Sequence, residues 1–557
     1  PYITDFEFPS PLKTEFLGKT LSGPFTIPSG IITCSANIIQ RVFDTMPEVG
    51  VLTTKSIGPE SRLGYREPIL TQHEPGSFTN AVGLTNPGAV RSAELMSQLR
   101  IPEDRFLLIS IFGGSVEEYV EVAKIMAPHA DGLELNLSCP HAKGYGMAMG
   151  QDPTLVKEIV AAVKAAVDVP VVPKLTPNVP NVNEIALAAV EGGADAICAI
   201  NTMGPECYSS HGHPILSNEK GGVSGKAVLS TALRLVKEIH AVVDVPIIAC
   251  GGISSAANVR EFQEAGTAII GIGSALIGLT TDEIANYFKI LSNDLLADTE
   301  QAEALVRYDI DMEFRPVSLV SNERITEDIC ILTFDRKVGI EAGQFIFLWI
   351  PGLGEKPFSA LTDDPFSLVV INLGVFTDAL MTLEPGIKAF VRGPHGNPVR
   401  PGADTKIIAV AGGTGLAAVY QIARDFDNAE VFMGARTEER LYFVEECLAL
   451  GKLHIATDDG SRGFHGVVTE LLRSRLEELN TEELQQLVFY NCGPGPMVRA
   501  AAAVQKEFCD DSQIFNAIDY LTKCGVGICG ACDAPDGRRL CVDGPFLDAA
   551  DLDATNK

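Results

Sequence analysis

Four cysteines in "KCGVGICGACDAPDGRRLC" stand as Cys524-x4-Cys529-x2-Cys532-x8-Cys541. The C-x4-C-x2-C start is the plant-type spacing for a [2Fe–2S] cluster, with a fourth thiolate from a later turn. The glycines between them let backbone N–H groups point at sulfur. The rival is structural zinc, which prefers paired C-x2-C knuckles. A further cysteine, Cys139, stands apart in "ELNLSCPHAKGYGMAMGQDP", Glu134 to Pro153, between an apolar run and a glycine-rich loop. Taken alone it fits three roles: a buried packing residue, a metal ligand or a catalytic thiol. The last is open because a thiol titrates near ~8.5 and can be tuned downward to act as a base.

Other elements must position these groups. In the first half, short β-branched runs alternate with helical patterns. The candidate strands are "FTIPS" (Phe25–Ser29), "GVLTT" (Gly50–Thr54), "FLLISI" (Phe106–Ile111), "GLELNL" (Gly132–Leu137), "PVVPK" (Pro170–Lys174), "DAICAI" (Asp195–Ile200), "PIIAC" (Pro246–Cys250) and "AIIGI" (Ala268–Ile272). Stretches such as "SVEEYVEVAKIMAP" and "NEIALAAVEGG" between them are apolar at helical spacing. Eight such units over about 290 residues predict a closed (β/α)8 TIM barrel, with its active site at the C-terminal strand ends. Those ends carry Ser29-Gly30, Lys55, Gly113-Gly114, Asn136 with Cys139, Lys174, Asn201-Thr202, Gly251-Gly252 and Gly273-Ser274. A glycine after a strand is also an ordinary turn residue. Two successive pairs after strands seven and eight, where barrels bind phosphate, favour an anion cradle of backbone N–H groups.

The pattern changes after the helix-like "TDEIANYFKILSNDLLADTEQAEALVRYD". From Phe314, "RPVSLVSNE", "ICILTFDR", "GQFIFLWIP" and "KAFVRGPHGN" predict a small antiparallel barrel ending near Pro401. "TKIIAVAGGTGLAAVYQIARDF" then gives strand, glycine turn and helix, the start of an α/β nucleotide fold with phosphate near the helix N-terminus. "CGPGPM" (Cys492–Met497) falls at a later strand end.

The whole composition is consistent with this. At 557 residues the chain is too long for one ordinary core. It is 46% hydrophobic and 21% charged, the composition of a folded, soluble protein. A net charge of −29 argues against nucleic acid or an anionic membrane surface as partner. "PYITDFEFPS" has neither the basic start nor the apolar run of a secretory signal. The longest nearly apolar stretch, Ala265 to Leu279, has 15 residues and four glycines, short of the roughly 20 that span a bilayer. Of the 13 cysteines, four crowd the last 34 residues and most of the others sit singly in apolar runs, which fits a reducing compartment with a cysteine-ligated metal better than disulfides. Cys34, Cys198 and Cys250 read as packing residues.

The set "TTKS", "NAVGLTNPG", "NLSCP", "KLTPN", "INT", "GGVSG" and "CGGIS" resembles dihydroorotate dehydrogenase of the soluble, FMN-containing class 1, over about residues 1–295 and in the family's order. The resemblance implies FMN at the barrel mouth, held by Ser29, Gly30, Lys55, Asn136, Lys174 and Gly225, with its phosphate on Gly251, Gly252, Gly273 and Ser274. Lys55 and Lys174 would favour the reduced, anionic ring by charge. Asn80, Asn136, Asn201 and Thr202 would bind the amide edges of dihydroorotate. Lys55 and the backbone of Val82, Gly83 and Leu84 would hold its carboxylate. Cys139 would be the base that takes the C5 proton. Two departures point elsewhere. His141 stands where the family often has asparagine, and Thr202 where serine is common. "SCPH" also occurs in dihydropyrimidine dehydrogenase, which reduces uracil and thymine, and that is the rival enzyme. A scaffolding or electron-transfer protein on a decayed barrel is the rival outside enzymes. Joint retention of Lys55, Asn136, Cys139, Lys174 and Asn201 speaks against it.

Residues from about 312 to 557 resemble the ferredoxin-reductase-like electron-transfer subunit of NAD-linked dihydroorotate dehydrogenase. The resemblance implies FAD on Lys356, Pro357, Phe358 and Ser359 ("KPFS", where the family usually has arginine first), with Gly374, Thr377, Gly393 and Gly396. It implies NAD on Gly412, Gly413, Thr414, Gly415, Cys492 and Gly493, and the cluster on Cys524, Cys529, Cys532 and Cys541. The expected domains are an FMN barrel over 1–295, a linker over 296–311, an FAD barrel over 312–401, an NAD domain over 402–510 and a cluster domain over 511–557. Two subunits that are usually separate lie here on one chain. The resemblance further implies a cytoplasmic enzyme of pyrimidine synthesis, its fused chains paired as a homodimer through the barrel.

Overall fold

The computed structural model describes residues 12–137, 147–402, 405–518 and 521–548. The chain divides into two compact units. One takes the chain up to Ile310 together with Val526–Asp533; the other takes Asp311–Gly525 and the residues from Ala534 on.

The first unit is built on a closed barrel of eight parallel strands. In chain order they are β1 (Phe25–Ile27), β2 (Val51–Thr53), β3 (Phe106–Ile111), β4 (Gly132–Asn136), β5 (Val171–Leu175), β6 (Ile197–Ala199), β7 (Ile247–Cys250) and β8 (Ile269–Gly271). Each pairs with its neighbours in sequence, and β8 closes onto β1 through Ile270↔Phe25. All eight fall inside or within one residue of the runs expected from the sequence. Alternate strand residues serve two cores. Val51, Leu108, Val172, Cys198, Ile248 and Ile269 form one buried cluster, joined by Phe16 and Leu21 of the hairpin Thr14–Phe16/Lys19–Leu21. Leu107, Ile109, Leu133 and Leu135 pack instead with helices Val116–Met126 and Pro153–Ala166. The terminal helix Thr281–Ala297 starts at a capping box of Thr280 and Glu283, which satisfies backbone donors that the helix itself leaves open.

The sequence did not announce a four-stranded antiparallel sheet, Met203–Glu206, Gly221–Gly225, Ser77–Asn80 and Leu70–Glu74 in spatial order. It is assembled from the connections that follow β2 and β6. It brings Asn80 opposite Gly222 and Ser77 opposite Gly225.

The second unit holds two sheets. One is a seven-stranded, wholly antiparallel sheet in the order Gly354–Phe358, Phe345–Ile350, Lys388–His395, Arg315–Arg324, Ile329–Phe334, Phe366–Ile371, Ala360–Asp363. Its first and last strands are separated in sequence by Ser359 alone. This is the expected small barrel. The other is a seven-stranded sheet, parallel except for its last edge strand: Phe464–His465, Lys452–Thr457, Ala429–Ala435, Lys406–Gly412, Leu487–Gly493, Ile514–Ile518, Leu547–Asp548. Chain order runs outward in both directions from Lys406–Gly412. An open α/β sheet binds its ligand at such a switch point, beyond the carboxyl ends of the strands. Among the described residues, no helix is long and apolar enough to cross a membrane.

Candidate active site

Polar side chains gather at the C-terminal ends of β1 to β5. Asn136 ends β4 and stands in register with Lys174 near the end of β5. Both are buried. The Asn136 side-chain amide donates to Ser56 Oγ at 2.8 Å. Ser56 in turn lies 3.1 Å from Ser29 Oγ and 2.9 Å from Ser110 Oγ. Ser56 thus ties the ends of β1, β2, β3 and β4 together. Sequence reasoning quoted Ser56 within "TTKS" without giving it a role, and missed Ser110. A serine beside a strand carries no signal until its neighbour across the barrel is known. Lys55 follows β2, with its backbone N–H on Thr33 O at 2.9 Å and its side chain half-buried.

Lys174 sits deep. Burial opposes its charge, but Glu134 on β4, with smaller contributions from Cys198 and Cys250, outweighs burial and holds the ammonium above the ordinary lysine range. Glu134 is 1% exposed, and its Oε1 has no hydrogen-bond partner among the described residues. Sequence reasoning also missed Glu134: within an apolar strand only the fold reveals which cation it faces. Cys198 and Cys250 lie below with sulfurs 3.9 Å apart.

The remaining expected residues of this unit stand at the mouth or beside it. Asn201 Oδ1 accepts from Thr202 N at 2.8 Å, and the Thr202 carbonyl accepts from Asn178 Nδ2 at 3.1 Å. Asn80 Nδ2 reaches Gly222 O at 3.4 Å. The turn after Asn80 is sharply bent. The Val82 carbonyl accepts from Tyr65 N at 3.0 Å, and both Gly83 (φ +84°) and Leu84 (φ +56°) have left-handed backbones. Gly225 and Gly252 also take positive φ, and a Cβ at Gly252 would fall 2.4 Å from the Gly225 carbonyl. The two chains meet there with no room for a side chain. At Gly30 a Cβ would meet no atom within 4 Å, and at Gly273 only ordinary contacts. Ser274 opens a short 3₁₀ turn. Cys139 and His141 lie outside the described residues.

In the second unit, Lys356, Pro357 and Phe358 lie on the edge strand Gly354–Phe358, half-buried, with Ser359 next. Gly374 is flanked by Leu373 and Val375, 80% and 81% exposed; Thr377 Oγ1 accepts from Gly374 N at 3.1 Å. Gly393 and Gly396 have positive φ, and a Cβ at Gly396 would press on Pro545 at 2.8 Å. Packing therefore explains Gly396 without a ligand. Gly412 and Gly493 end adjacent strands at the switch point, and a Cβ on Gly415 would strike the Cys492 carbonyl at 2.1 Å. Thr414 precedes helix Gly415–Asp425.

The four candidate cluster ligands are all buried. Cys524 and Cys541 belong to the second unit, Cys529 and Cys532 to the first. Among the described residues, there is no group of three or more His, Cys, Asp or Glu arranged to hold a metal. Within the first unit, Ile32 N–H donates to Ile528 O at 2.8 Å, Gly278 N–H to Val526 O at 2.9 Å, and the Cys34 thiol to Cys529 O at 2.8 Å. Cys34, expected to be a packing residue, thus holds the backbone of a candidate ligand.

Residues 11–287 match the family model described as dihydroorotate dehydrogenase. Residues 521–553 match the iron–sulfur cluster binding domain of dihydroorotate dehydrogenase B. The chain is 44% identical over 262 residues to the catalytic subunit of dihydroorotate dehydrogenase B (NAD(+)) of Methanocella arvoryzae, covering 46% of this chain and 85% of that protein. The chain belongs to the dihydroorotate dehydrogenase family. The corresponding subunit of Methanocaldococcus jannaschii is 39% identical over 289 residues, 50% of this chain and 94% of that one. A solved structure of an NADH-dependent reduced ferredoxin–NADP oxidoreductase is 26% identical with a TM-score of 0.38, over 42% of this chain and 87% of its own. In this family the barrel mouth receives FMN, and the residues present fit it. A buried ammonium suits an anionic ring, the Asn136 amide stands beside it, and side chains are absent at Gly30, Gly251, Gly252 and Gly273.

Proposed function

We propose that this chain oxidises dihydroorotate to orotate in pyrimidine synthesis and passes the electrons to NAD+ through FMN, a [2Fe–2S] cluster and FAD. The observation that carries the proposal is the buried Lys174 ammonium in register with Asn136 at the mouth of a barrel of this family. When bound, FMN supplies the hydride acceptor, the cluster a one-electron relay, and FAD the return from single electrons to hydride.

The chain's own residues do the rest. The reaction forms the C5=C6 double bond of orotate as C6 loses a hydride and C5 a proton. Cys139 takes that proton. Lys174 would hold the negative charge that the FMN ring gains with the hydride. Lys55 and the bent backbone of Val82, Gly83 and Leu84 hold the substrate carboxylate. Asn80, Asn136, Asn201 and Thr202 pair with the ring's N–H and C=O groups. The glycines after β7 and β8 take the FMN phosphate. In the second unit, Lys356–Ser359, Gly374 and Thr377 hold FAD, where the exposed flanks Leu373 and Val375 suit an apolar ring face. Gly412–Gly415 and Cys492–Gly493, at the switch point, take NAD+. Cys524, Cys529, Cys532 and Cys541 hold the cluster, supported by their spacing and by the family match of that segment. A cytoplasmic setting and a homodimer joined through the barrels rest on the resemblance; light scattering on the purified protein tests the dimer.

Anaerobic mixing of the purified flavoprotein with dihydroorotate tests the function. Dihydroorotate bleaches the flavin, and uracil and dihydrouracil do not exchange electrons with it. Reduction by dihydrouracil in place of dihydroorotate replaces this function with a dihydropyrimidine one.

A further inference from the structure

The second unit holds a buried charge pair that no step above uses. Arg392, on strand Lys388–His395, and Glu355, on the strand that carries Lys356, are each 1% exposed. Arg392 Nη2 donates to Glu355 Oε1 at 2.7 Å, and Nε faces Oε2 at 3.4 Å. That leaves Nη1, which donates to the Cys524 carbonyl at 2.9 Å and lies 3.4 Å from His395 Nε2. The guanidinium rests 4.3 Å from the centre of the Phe347 ring. The next residue, Gly525, has φ +78°, and a Cβ there would come within 2.7 Å of Phe347 and 3.3 Å of His395. The backbone at Cys524 is therefore pressed on an aromatic floor and gripped by a cation from beneath. A buried ion pair is poor evidence for stability, since apolar residues of equal size hold a core as well or better. Its reason has to be sought in what it touches.

We propose that Arg392 is a positioning residue for the iron–sulfur cluster: it clamps the Cys524 carbonyl and raises the cluster's reduction potential, while Glu355 limits how much of its charge the cluster feels. The proposal rests on Cys524 being a cluster ligand. A reduced cluster carries one more negative charge than an oxidised one, so a fixed cation nearby favours reduction and a fixed anion opposes it. Net charge and hydrogen bonds around the ligands are among the protein's levers on cluster potential. The pair also ties the strand of the FAD motif to a ligand of the relay that feeds it.

Redox titration of the full-length protein, followed by electron paramagnetic resonance of the reduced cluster, tests this. Arg392→Met removes the cation and leaves the anion, and the potential falls. Glu355→Gln leaves the cation uncompensated, and the potential rises. Each change is at least tenfold in the reduction equilibrium, about 59 mV for one electron. Arg392→Lys keeps the charge without the fork and stays nearer the parent. Unchanged potentials, or shifts of the same sign in the Met and Gln variants, overturn the proposal. If Arg392→Met retains no cluster, the nearly isosteric Glu355→Gln decides alone. A parent protein with no [2Fe–2S] signal overturns instead the assignment of Cys524 as a ligand.

Discussion

Lys174 keeps its charge in a place that resists it, and this separates it from any pH dependence near neutrality. Its folded-state value is raised, because burial, the largest single influence, is outweighed by Glu134, Cys198 and Cys250 together. The stabilisation it brings is complete below the ordinary lysine value of ~10.4 and is lost only as pH rises through the folded value. A pH profile of flavin reduction between 6 and 9 therefore reports another group, and Cys139 is the candidate. Cys139→Ala should retain FMN yet slow its reduction by dihydroorotate by roughly 10²–10⁴-fold in rapid mixing; near-parental rates remove Cys139 from the reaction. Lys55→Ala should weaken orotate binding by about 1.5–3 kcal/mol, the worth of a charged hydrogen bond, read from the flavin spectrum on titration; unchanged binding detaches Lys55 from the carboxylate. Lys174, Asn136 and Lys55 were legible in the sequence because each closes a strand-like run. Ser56, Ser110 and Glu134 were not: their partners lie on neighbouring strands, 54 residues apart for the two serines, and only the barrel brings them together.

Elements were legible where they are regular. The eight barrel strands showed themselves as apolar runs, because strands covered on both sides need no polar alternation. The strands Gly354–Phe358, Ala360–Asp363 and Phe366–Ile371 did not. Pro357 and the Asp364–Pro365 turn break the pattern that betrays a strand. The parallel sheet of the second unit offers a test of its own. Glu430, on strand Ala429–Ala435, meets His454 at 3.2 Å, Lys452 at 2.8 Å and Arg475 at 3.1 Å, so that one carboxylate joins two strands to helix Val468–Glu477. Hydrogen bonds from His454, and then from Arg475 and Lys452, outweigh burial and hold it well below the ordinary carboxylate range. A group depressed in this way stabilises the fold above its unfolded value of ~4.3 and loses that contribution as pH falls towards the folded one. Glu430→Gln should lower stability at pH 7 by about 1–2 kcal/mol. The gap to the parent should narrow below pH ~4. Thermal unfolding at the two pH values checks both; a gap that is constant with pH assigns the effect to packing.

At the scale of the whole chain, a substrate half-reaction and a nucleotide half-reaction are built on separate sheets. Cys529→Ser should damage or abolish the cluster. Dihydroorotate should still bleach FMN and NADH should still reduce FAD, while turnover from dihydroorotate to NAD+ should stop. Rapid-mixing absorbance separates the three steps, and turnover that survives cluster loss would make the cluster structural. The sequence showed a C-terminal cluster segment. It did not show that Val526–Asp533 belongs to the barrel unit, since hydrogen bonds between backbone groups leave no mark in residue type. That membership bears on how the protein comes off the ribosome. Domains generally fold as units, the N-terminal one first. Here the Cys529 carbonyl that Cys34 holds is made 495 residues later. At synthesis rates of about 5–20 residues per second, the stretch from Ile310 to Val526 keeps the first unit waiting about 11–43 s for its last piece. A nascent barrel spends that interval with its Ile32–Cys34 loop short of its final contacts. Translation that stops before Val526 leaves the first unit incomplete, even though every strand of its barrel has been made.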